Sequence, residues 1–457
     1  MKADNDPVAK VLDLPGKVAS LPDSALFIVN TLKAAGHEAY LVGGCVRDLY
    51  RGVLPQDYDI VTSARPEEVC ALFLRTIPVG ISFGVVLVVE GEQKYEVATF
   101  RTEADYVDGR RPGRVAFATA EEDVRRRDFT INGLLFDPER ERLFDYVDGC
   151  GDIDRRLVRT IGSPETRFGE DHLRMLRAVR FAANLGFDLE AETMAAVKRQ
   201  AREIKRISAE RIREELTKVF TRPGAQRGME LLDESGLLAE ILPEVKALQG
   251  VEQPETFHPE GDVWQHLLKM LSLMPAEGTD PRLAWGVILH DIGKAVTRSV
   301  DDRGVHFYGH AQQGEEIARQ IMERLRFSGS DSETVLELIR RHMLFMNVRE
   351  MRPARLKRFL RMPDFHLHLE LHRLDCLGSH GMIENYDFCR AQLAEIPEEE
   401  LRPPRLLTGK DLIAMGFRPG PLFSTILQEV EEAQLNGLLA SADDARRLVR
   451  ERWGAER

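Results

Sequence analysis

Leu41-Val-Gly-Gly-Cys-Val-Arg-Asp48, followed by Gln56-Asp57-Tyr58-Asp59-Ile60-Val61, decides how the N-terminal third is read. Gly43 and Gly44 end an apolar run, and two carboxylates at i and i+2 enter a second one. Residues i and i+2 of a strand share a face, so Asp57 and Asp59 are expected side by side. Two bare carboxylates at that range repel each other. A pair of Mg²⁺ ions roughly 3.5–4 Å apart relieves the repulsion and clamps the attacking and leaving oxygens of a phosphoryl transfer. The glycines let backbone N–H groups approach a triphosphate. The same residues also read as a glycine turn with a solvated Asp-x-Asp, and the rest of the chain has to decide.

A chain of 457 residues is long for one core and suggests three or four domains. Hydrophobic content of 43% with 30% charged residues describes a globular protein. No apolar run reaches the ~20 residues of a membrane span, and Met1-Lys-Ala-Asp-Asn-Asp-Pro7 lacks the apolar core of a signal peptide. Five scattered cysteines (45, 70, 150, 376 and 389) without a C-x-x-C suit a reducing cytosol, so a cytoplasmic location is expected. Net charge is −12, yet residues 154–218 hold 15 Lys/Arg against 11 Asp/Glu. A basic middle inside an acidic whole leaves room for an RNA-binding face.

The pattern predicts a helix over 24–36, strands over 38–42, 58–62, 84–90 and 94–99, a helix over 66–74, and strands over 134–137 and 142–145. Beyond Ser163 helical spacing takes over: 170–185, 191–202, 209–220 and 225–235, with no strand returning. The Pro-containing stretches 243–259 and 396–404 read as linkers, and 409 onward as a helical tail. The expected domains are an α/β head with a mixed sheet (1–160), a helical neck and RNA-binding region (161–250), a histidine-rich helical domain (251–395) and a helical C-terminal tail (396–457).

Glu96, alternating with apolar residues in Lys94-Tyr-Glu-Val-Ala-Thr-Phe100, is the candidate third carboxylate of a two-metal site. In Asp123-Val-Arg-Arg-Arg-Asp-Phe-Thr-Ile-Asn132, the forks of Arg126 and Arg127 match phosphate oxygens, and Asp128 and Asn132 match ribose hydroxyls. Asp171 and Arg174 are spaced to share a helical face. Together they offer one acceptor and one donor, the complement of cytosine (N4 amino, N3) and adenine (N6 amino, N1) but not of uracil or guanine. A protein side-chain pair would then choose C and A without a template, each contact discriminating by about 1–3 kcal/mol.

These motifs, in this order and spacing, resemble the class II tRNA nucleotidyltransferase/poly(A) polymerase family over roughly residues 25–235. The resemblance implies a polymerase-beta-like head followed by neck, body and tail, and addition of C, C and A to tRNA from CTP and ATP. It places Mg²⁺ on Asp57 and Asp59. It puts Gly43, Gly44, Arg47, Arg126, Arg127, Asp128, Asn132, Asp171, Arg174, Arg177 and Arg180 around the nucleotide. Ser208-Ala-Glu-Arg211-Ile-Arg-Glu-Glu215 resembles the family's neck motif. The stretch 101–112 resembles its flexible loop, whose presence favours A addition. Gly133 stands where Ala is frequent, read here as a neutral exchange. An A-adding enzyme or a poly(A) polymerase of the same family stays open as an alternative.

A second pattern runs from His266 through His290-Asp291 to Asp375, with His310 and His342 between them. Imidazole and carboxylate together suit a divalent transition metal such as Mn²⁺, Ni²⁺ or Co²⁺. The pattern resembles the HD phosphohydrolase superfamily, with His266, His290, Asp291 and Asp375 as the ligand set and Lys294 in place. Domains of this kind fused to such heads are associated with 2′,3′-cyclic phosphodiesterase and phosphatase activity. A rival reading is an HD phosphohydrolase whose head only grips RNA.

Overall fold

The computed structural model describes residues 9–454 other than 81–83, 108–110, 255, 257 and 303. At 79–80, 103–107 and 111–115 it describes the backbone alone. Contacts divide the chain into two units, one built mainly from residues 1–246 and the other from 247–274, 279–323 and 327–457.

The first unit begins with a mixed sheet. Its strands are β1 (Lys10–Asp13), β2 (Ala39–Val42), β3 (Asp59–Thr62), β4 (Thr76–Gly80), β5 (Val85–Glu90), β6 (Gln93–Thr99), β9 (Leu134–Asp137) and β10 (Arg142–Asp145), while β7 (Arg101–Val107) and β8 (Arg111–Phe117) form a separate hairpin. The strand order is β1-β10-β9-β2-β3-β6-β5-β4. Only the β3–β6 pair is parallel, with Ile60 opposite Val97; β2 runs antiparallel to β3, with Val42 opposite Asp59. The ends of β2, β3 and β6 therefore come together at Gly43, Asp59 and Glu96.

Helices α1 (Asp23–Ala34), α2 (Gly44–Arg51), α3 (Pro66–Leu72), α4 (Ala120–Arg125) and α5 (Gly149–Asp154) accompany the sheet. One packed cluster joins Val42, Val61 and Leu135 of the sheet to Ala120 and Val124 of α4. The neck follows as α6 (Pro164–Glu170), α7 (Leu173–Leu185), α8 (Ala191–Gln200), α9 (Ala209–Phe220), α10 (Ala225–Glu234), α11 (Leu237–Ile241) and α12 (Pro243–Lys246).

The second unit contains α13 (Val263–Leu273), α14 (Pro281–Leu289), α15 (Lys294–Thr297), α16 (His310–Arg324), α17 (Gly329–Arg341), α18 (Pro353–Leu360) and α19 (Phe365–Gly378), then α20 (Glu384–Glu395), α21 (Glu398–Leu401), α22 (Gly409–Ala414), α23 (Pro421–Leu435) and α24 (Ala442–Trp453). Phe345, Phe359, Phe365 and Cys389 centre one apolar cluster, and Leu412, Ile426, Val430 and Val449 centre the tail's own. Among the described residues no helix is long and apolar enough to cross a membrane.

Several expectations need correction. The predicted continuous helix over 170–185 is broken: α6 ends at Glu170, Asp171 is extended (φ −142°, ψ 106°), and α7 begins at Leu173. Asp57 precedes β3, so the two aspartates do not share one strand. Strands do return past Ser163, as two-residue Asp188–Leu189 and the short hairpin Ser299–Asp301 with Gly304–His306. Neither supposed linker is free: Val245 and Leu248 are buried, and Leu401 packs with Phe345 and Phe359. Gly133 is not neutral either. A Cβ there would lie 2.8 Å from Val147 Cγ2 and 3.0 Å from Ile161 Cδ1, because this core has closed onto the missing methyl.

Candidate active sites

The parallel pairing of β3 and β6 puts Asp59 beside Glu96, with Asp57 just ahead of β3. Asp57, Asp59 and Glu96 are all exposed, yet Asp59 is pushed up to about 6. Desolvation against its neighbours is the largest cause, Glu96 and Asp57 add repulsion, and Arg127 opposes them. Three acids that disturb one another this way form a cation-hungry group. The donor set is all carboxylate, which suits a hard ion such as Mg²⁺. Gly43 borders it at φ +79°. A Cβ there would stand in ordinary contact, 3.7 Å from Arg127 Nη1 and 3.9 Å from Asp59 Oδ2, so it is the left-handed backbone that calls for glycine at this position. Gly43 also caps α2.

The basic motif is fixed by a buried acid. Asp123 accepts from Arg126 Nη2 at 2.6 Å and from Arg127 Nη2 at 3.1 Å. Burial opposes its charge, but the two guanidiniums hold it below the ordinary carboxylate range. Asp128 accepts from Arg177 Nε at 2.8 Å and from its own neighbour's amide, Phe129 N–H, at 2.8 Å. Burial again opposes, and Arg177 with Arg174 outweighs it, so Asp128 lies at about 2. Asn132 lies within 3.4 Å of Asp128, and its carbonyl accepts from Arg47 Nη1 at 2.8 Å. Arg47 is buried and also clasps Asp48. The guanidiniums of Arg47, Arg177 and Arg180 surround the Phe181 ring, Arg180 nearest at 4.2 Å.

Asp171 and Arg174 each have a support that the spacing argument missed. Asp171 Oδ1 caps the start of α7 by accepting from Leu173 N–H at 3.0 Å, and Oδ2 accepts from Arg211 Nη2 at 2.9 Å. Arg174 donates to Glu170 Oε2 at 2.5 Å and to the Arg126 carbonyl at 3.3 Å. Arg180 pairs with Glu215 at 2.6 Å in a buried setting. The neck motif of α9 thus supplies Arg211 to Asp171 and Glu215 to Arg180. The hairpin β7–β8 carries the stretch read as a flexible loop; residues 108–110 and the flanking side chains lie outside the described residues.

In the second unit the histidines converge. His266 Nε2 lies 3.1 Å from Asp375 Oδ1, and His290 Nε2 lies 3.2 Å from Asp291 Oδ2. Neither contact has hydrogen-bond geometry, although both nitrogens are buried. The opposite nitrogens explain why. Nδ1 of His290, His310 and His342 each faces a backbone carbonyl three residues back (Val287, Phe307 and Ile339) at 2.9, 2.9 and 2.7 Å. A carbonyl can only accept, so each Nδ1 carries the proton and each Nε2 turns a lone pair inward. The Nε2 atoms of His310 and His342 face each other at 3.2 Å, with Asp291 Oδ1 at 3.7 and 3.9 Å. Facing lone pairs want a cation between them.

Lys294 holds Asp291 at 2.7 Å and donates to Gln253. Burial opposes the charge of Asp291, but Lys294 and His290 keep it well below the ordinary range. Burial also disfavours charge on His266, yet Asp375 and Glu260 outweigh it and raise that ring to about 9. Burial lowers His342 to about 4, leaving it neutral and free to ligate. Among the described residues, three groups are close enough to hold an ion: His266, His290 and Asp375; Asp291, His310 and His342; and His258, Glu260 and His266. Orphaned, inward-facing imidazoles beside carboxylates fit a divalent transition metal.

Three family profiles match the chain in succession. They are described as "Poly A polymerase head domain" over residues 39–159, "Probable RNA and SrmB- binding site of polymerase A" over 186–249, and "HD domain" over 263–367. A CCA-adding enzyme of Lactobacillus johnsonii is 32% identical over 434 residues, spanning 94% of this chain and 98% of that protein. One from Streptococcus gordonii is 47% identical over 223 residues, which is 49% of this chain and 55% of the relative. A crystal structure of the Bacillus stearothermophilus CCA-adding enzyme in complex with CTP superposes with a TM-score of 0.72 at 28% identity, covering 96% of this chain and 99% of that one. The chain belongs to the CCA-adding enzyme family and is a nucleotidyltransferase.

Proposed function

We propose that this enzyme adds C, C and A to tRNA 3′ ends from CTP and ATP in the cytoplasm, and that its histidine cluster is a second, phosphohydrolase centre. The observation that carries the first reading is the placement of Asp59 and Glu96 on adjoining parallel strands beside Gly43 and Arg127, with Asp57 near enough to repel Asp59. In the reaction a 3′-hydroxyl attacks the α-phosphorus of the nucleotide and pyrophosphate leaves. Two Mg²⁺ ions, when bound, supply charge neutralisation at the entering and leaving oxygens. The chain's own part is placement. Asp57 and Asp59 hold the ions, with Glu96 completing the acidic set. The Gly43–Gly44 turn leaves room for the triphosphate, and Arg126 and Arg127 offer it guanidinium forks. Ionised Asp128 and Asn132 face ribose hydroxyls.

Base choice falls to Asp171 and Arg174, one acceptor and one donor. Arg211 and Glu170 hold them in place and so define the pocket's selectivity indirectly. The neck around them, in the reach of the RNA-binding profile, is the region assigned to the tRNA end. Incubating the protein with tRNA ending at the discriminator base, with CTP and ATP supplied separately and together, tests the assignment. Incorporation of two C and then one A is expected. Absence of CMP incorporation would leave an A-adding enzyme or poly(A) polymerase.

The second centre rests on the orphaned Nε2 atoms of His266 and His290. His266, His290, Asp291 and Asp375 are the ligand set, with His310 and His342 extending it. A divalent cation such as Mn²⁺, Ni²⁺ or Co²⁺, when bound, supplies Lewis acidity toward a phosphate ester and its attacking water. Lys294 then stands beside the phosphate's charge, held by Asp291 and Gln253. Hydrolysis of the 3′-O–P bond of a 2′,3′-cyclic phosphate, with water supplying the hydroxyl to phosphorus and the proton to O3′, would leave a 2′-phosphate and free the 3′-hydroxyl that the head needs. Metal-dependent hydrolysis of a nucleoside 2′,3′-cyclic phosphate is expected of the parent, and its absence with all three metals refutes this second activity.

A further inference from the structure

Among the four inward-facing histidines, His266 alone is oriented by a side chain. His290, His310 and His342 find their Nδ1 acceptor in a carbonyl three residues back, so local backbone geometry aims them. His266 Nδ1 instead meets Glu260 Oε1 at 2.8 Å, an acid lying ahead of α13. The same oxygen meets His258 Nδ1 at 2.9 Å, and the two rings lie edge to face with centroids 5.2 Å apart. His266 is fully buried, and Glu260 Oε2 is buried without a hydrogen-bonding partner. No backbone carbonyl takes the place of Glu260 at Nδ1, unlike at the other three rings.

We infer that Glu260 is a positioning residue for the histidine-cluster metal. It fixes His266 as the Nδ1–H tautomer, turns Nε2 toward Asp375 and His290, and raises the ring's strength as a ligand. Carboxylate–histidine–metal relays work this way, and losing the carboxylate typically costs 10–100-fold in metal affinity or activity. His258 steadies Glu260 from its other side. His258, Glu260 and Gln253, which accepts from Lys294 at 2.6 Å, thereby belong to the metal site and not to a spacer. The inference depends on the metal reading of the cluster proposed above.

Glu260→Gln keeps the size and removes the charge, and Glu260→Asp keeps the charge and shortens the reach. Full-length parent and variants are freed of metal, and Mn²⁺ and Co²⁺ affinity and stoichiometry are measured by competition with a chromophoric chelator. Nucleotide addition by the same samples checks folding. The expected result is an unchanged number of ions bound about tenfold or more weakly by Glu260→Gln, a smaller loss for Glu260→Asp, and intact nucleotide addition. Equal affinity in parent and Glu260→Gln overturns the inference. So does loss of one whole ion, which would make Glu260 a ligand in its own right. A parent that binds neither metal refutes the metal reading of the cluster itself and this inference with it.

Discussion

Asp59 and Asp291 are both aspartates proposed as metal ligands, and their surroundings push them in opposite directions. Asp59 stands among acids at an open strand end, and its carboxyl rises to about 6. Asp291 is buried beside Lys294 and His290, which hold it well below the ordinary range. The head therefore keeps an uncompensated negative charge that is relieved only when cations arrive. Mg²⁺ dehydrates reluctantly and is bound by a few carboxylates together with substrate phosphates, so an open acidic pocket suits an ion that comes with the nucleotide. In the histidine cluster Asp291 is already held by Lys294, and His266 and His290 are buried. The cluster's oriented imidazoles suit a resident ion that stays through turnover.

If the two centres are independent, single substitutions should separate them completely. Asp59→Ala should reduce nucleotide addition by on the order of 10³ or more while leaving cyclic-phosphate hydrolysis untouched. His290→Ala should do the reverse. Single-turnover addition of labelled CMP and steady-state hydrolysis, run on the same preparations, give both readouts. Addition that survives Asp59→Ala would overturn the two-metal reading of the head's aspartates.

The comparison also separates chemistry from choice within the head. Asp171 lies over a hundred residues from Asp59 in sequence and is held by Arg211 at 2.9 Å. Asp171→Ala should relax the preference for CTP and ATP over UTP and GTP by about 10–100-fold, following the 1–3 kcal/mol of a good bidentate contact. Arg211→Ala should act in the same direction more weakly, because the carboxylate remains but loses its anchor. Misincorporation ratios measure both. A uniform fall in rate with unchanged ratios would remove Asp171 from base reading.

What the sequence revealed follows the range of the interactions involved. Motifs whose members sit close together were legible: the Gly43–Gly44 turn, Asp57 and Asp59, and the run through Arg126, Arg127 and Asp128. The inner strands were legible too, since both faces are covered and their residues read as apolar runs. Edge strand β1 and strand β4 were not, because pairing with β10 and β5 decides them. The break at Asp171 was hidden by helical spacing on either side of it. Arg211 stood out only as part of the neck motif, and its pairing with Asp171, like that of Glu170 with Arg174, stayed hidden until the helices meet. Glu260 sat in a Pro-containing stretch that composition marks as linker. An acid six residues ahead of a ligand-type histidine was the one clue available there.

The open acids predict a pH dependence of nucleotide addition just below neutrality. Below about pH 6 the Asp59 carboxyl is protonated. Mg²⁺ must then displace that proton, so the Mg²⁺ concentration for half-maximal nucleotide addition should climb by roughly tenfold per pH unit as pH falls below 6. Above pH 7 it should be flat. A half-saturation that stays level from pH 7 to pH 5 would show that Asp59 does not bind the ion.

The smallest effect is on stability, and its sign is the informative part. A carboxyl whose folded pKa is raised binds its proton more tightly folded than unfolded, so ionising it destabilises the fold. The penalty is absent below the ordinary carboxylate range near pH 4, grows as pH rises toward 6, and is complete above that. Asp59→Asn imitates the neutral acid. In EDTA at pH 8 the variant should melt higher than the parent, by no more than about 4 °C since the group is open to solvent. The difference should shrink toward zero as pH approaches 4. Mg²⁺ added at pH 8 should raise the parent and close the gap from the other side, because cations relieve the same repulsion. Thermal melts of both proteins at the two pH values, with and without Mg²⁺, test all three statements. A variant that melts lower than the parent at pH 8 in EDTA would mean that Asp59 is held by favourable contacts, and the contrast with Asp291 would fall.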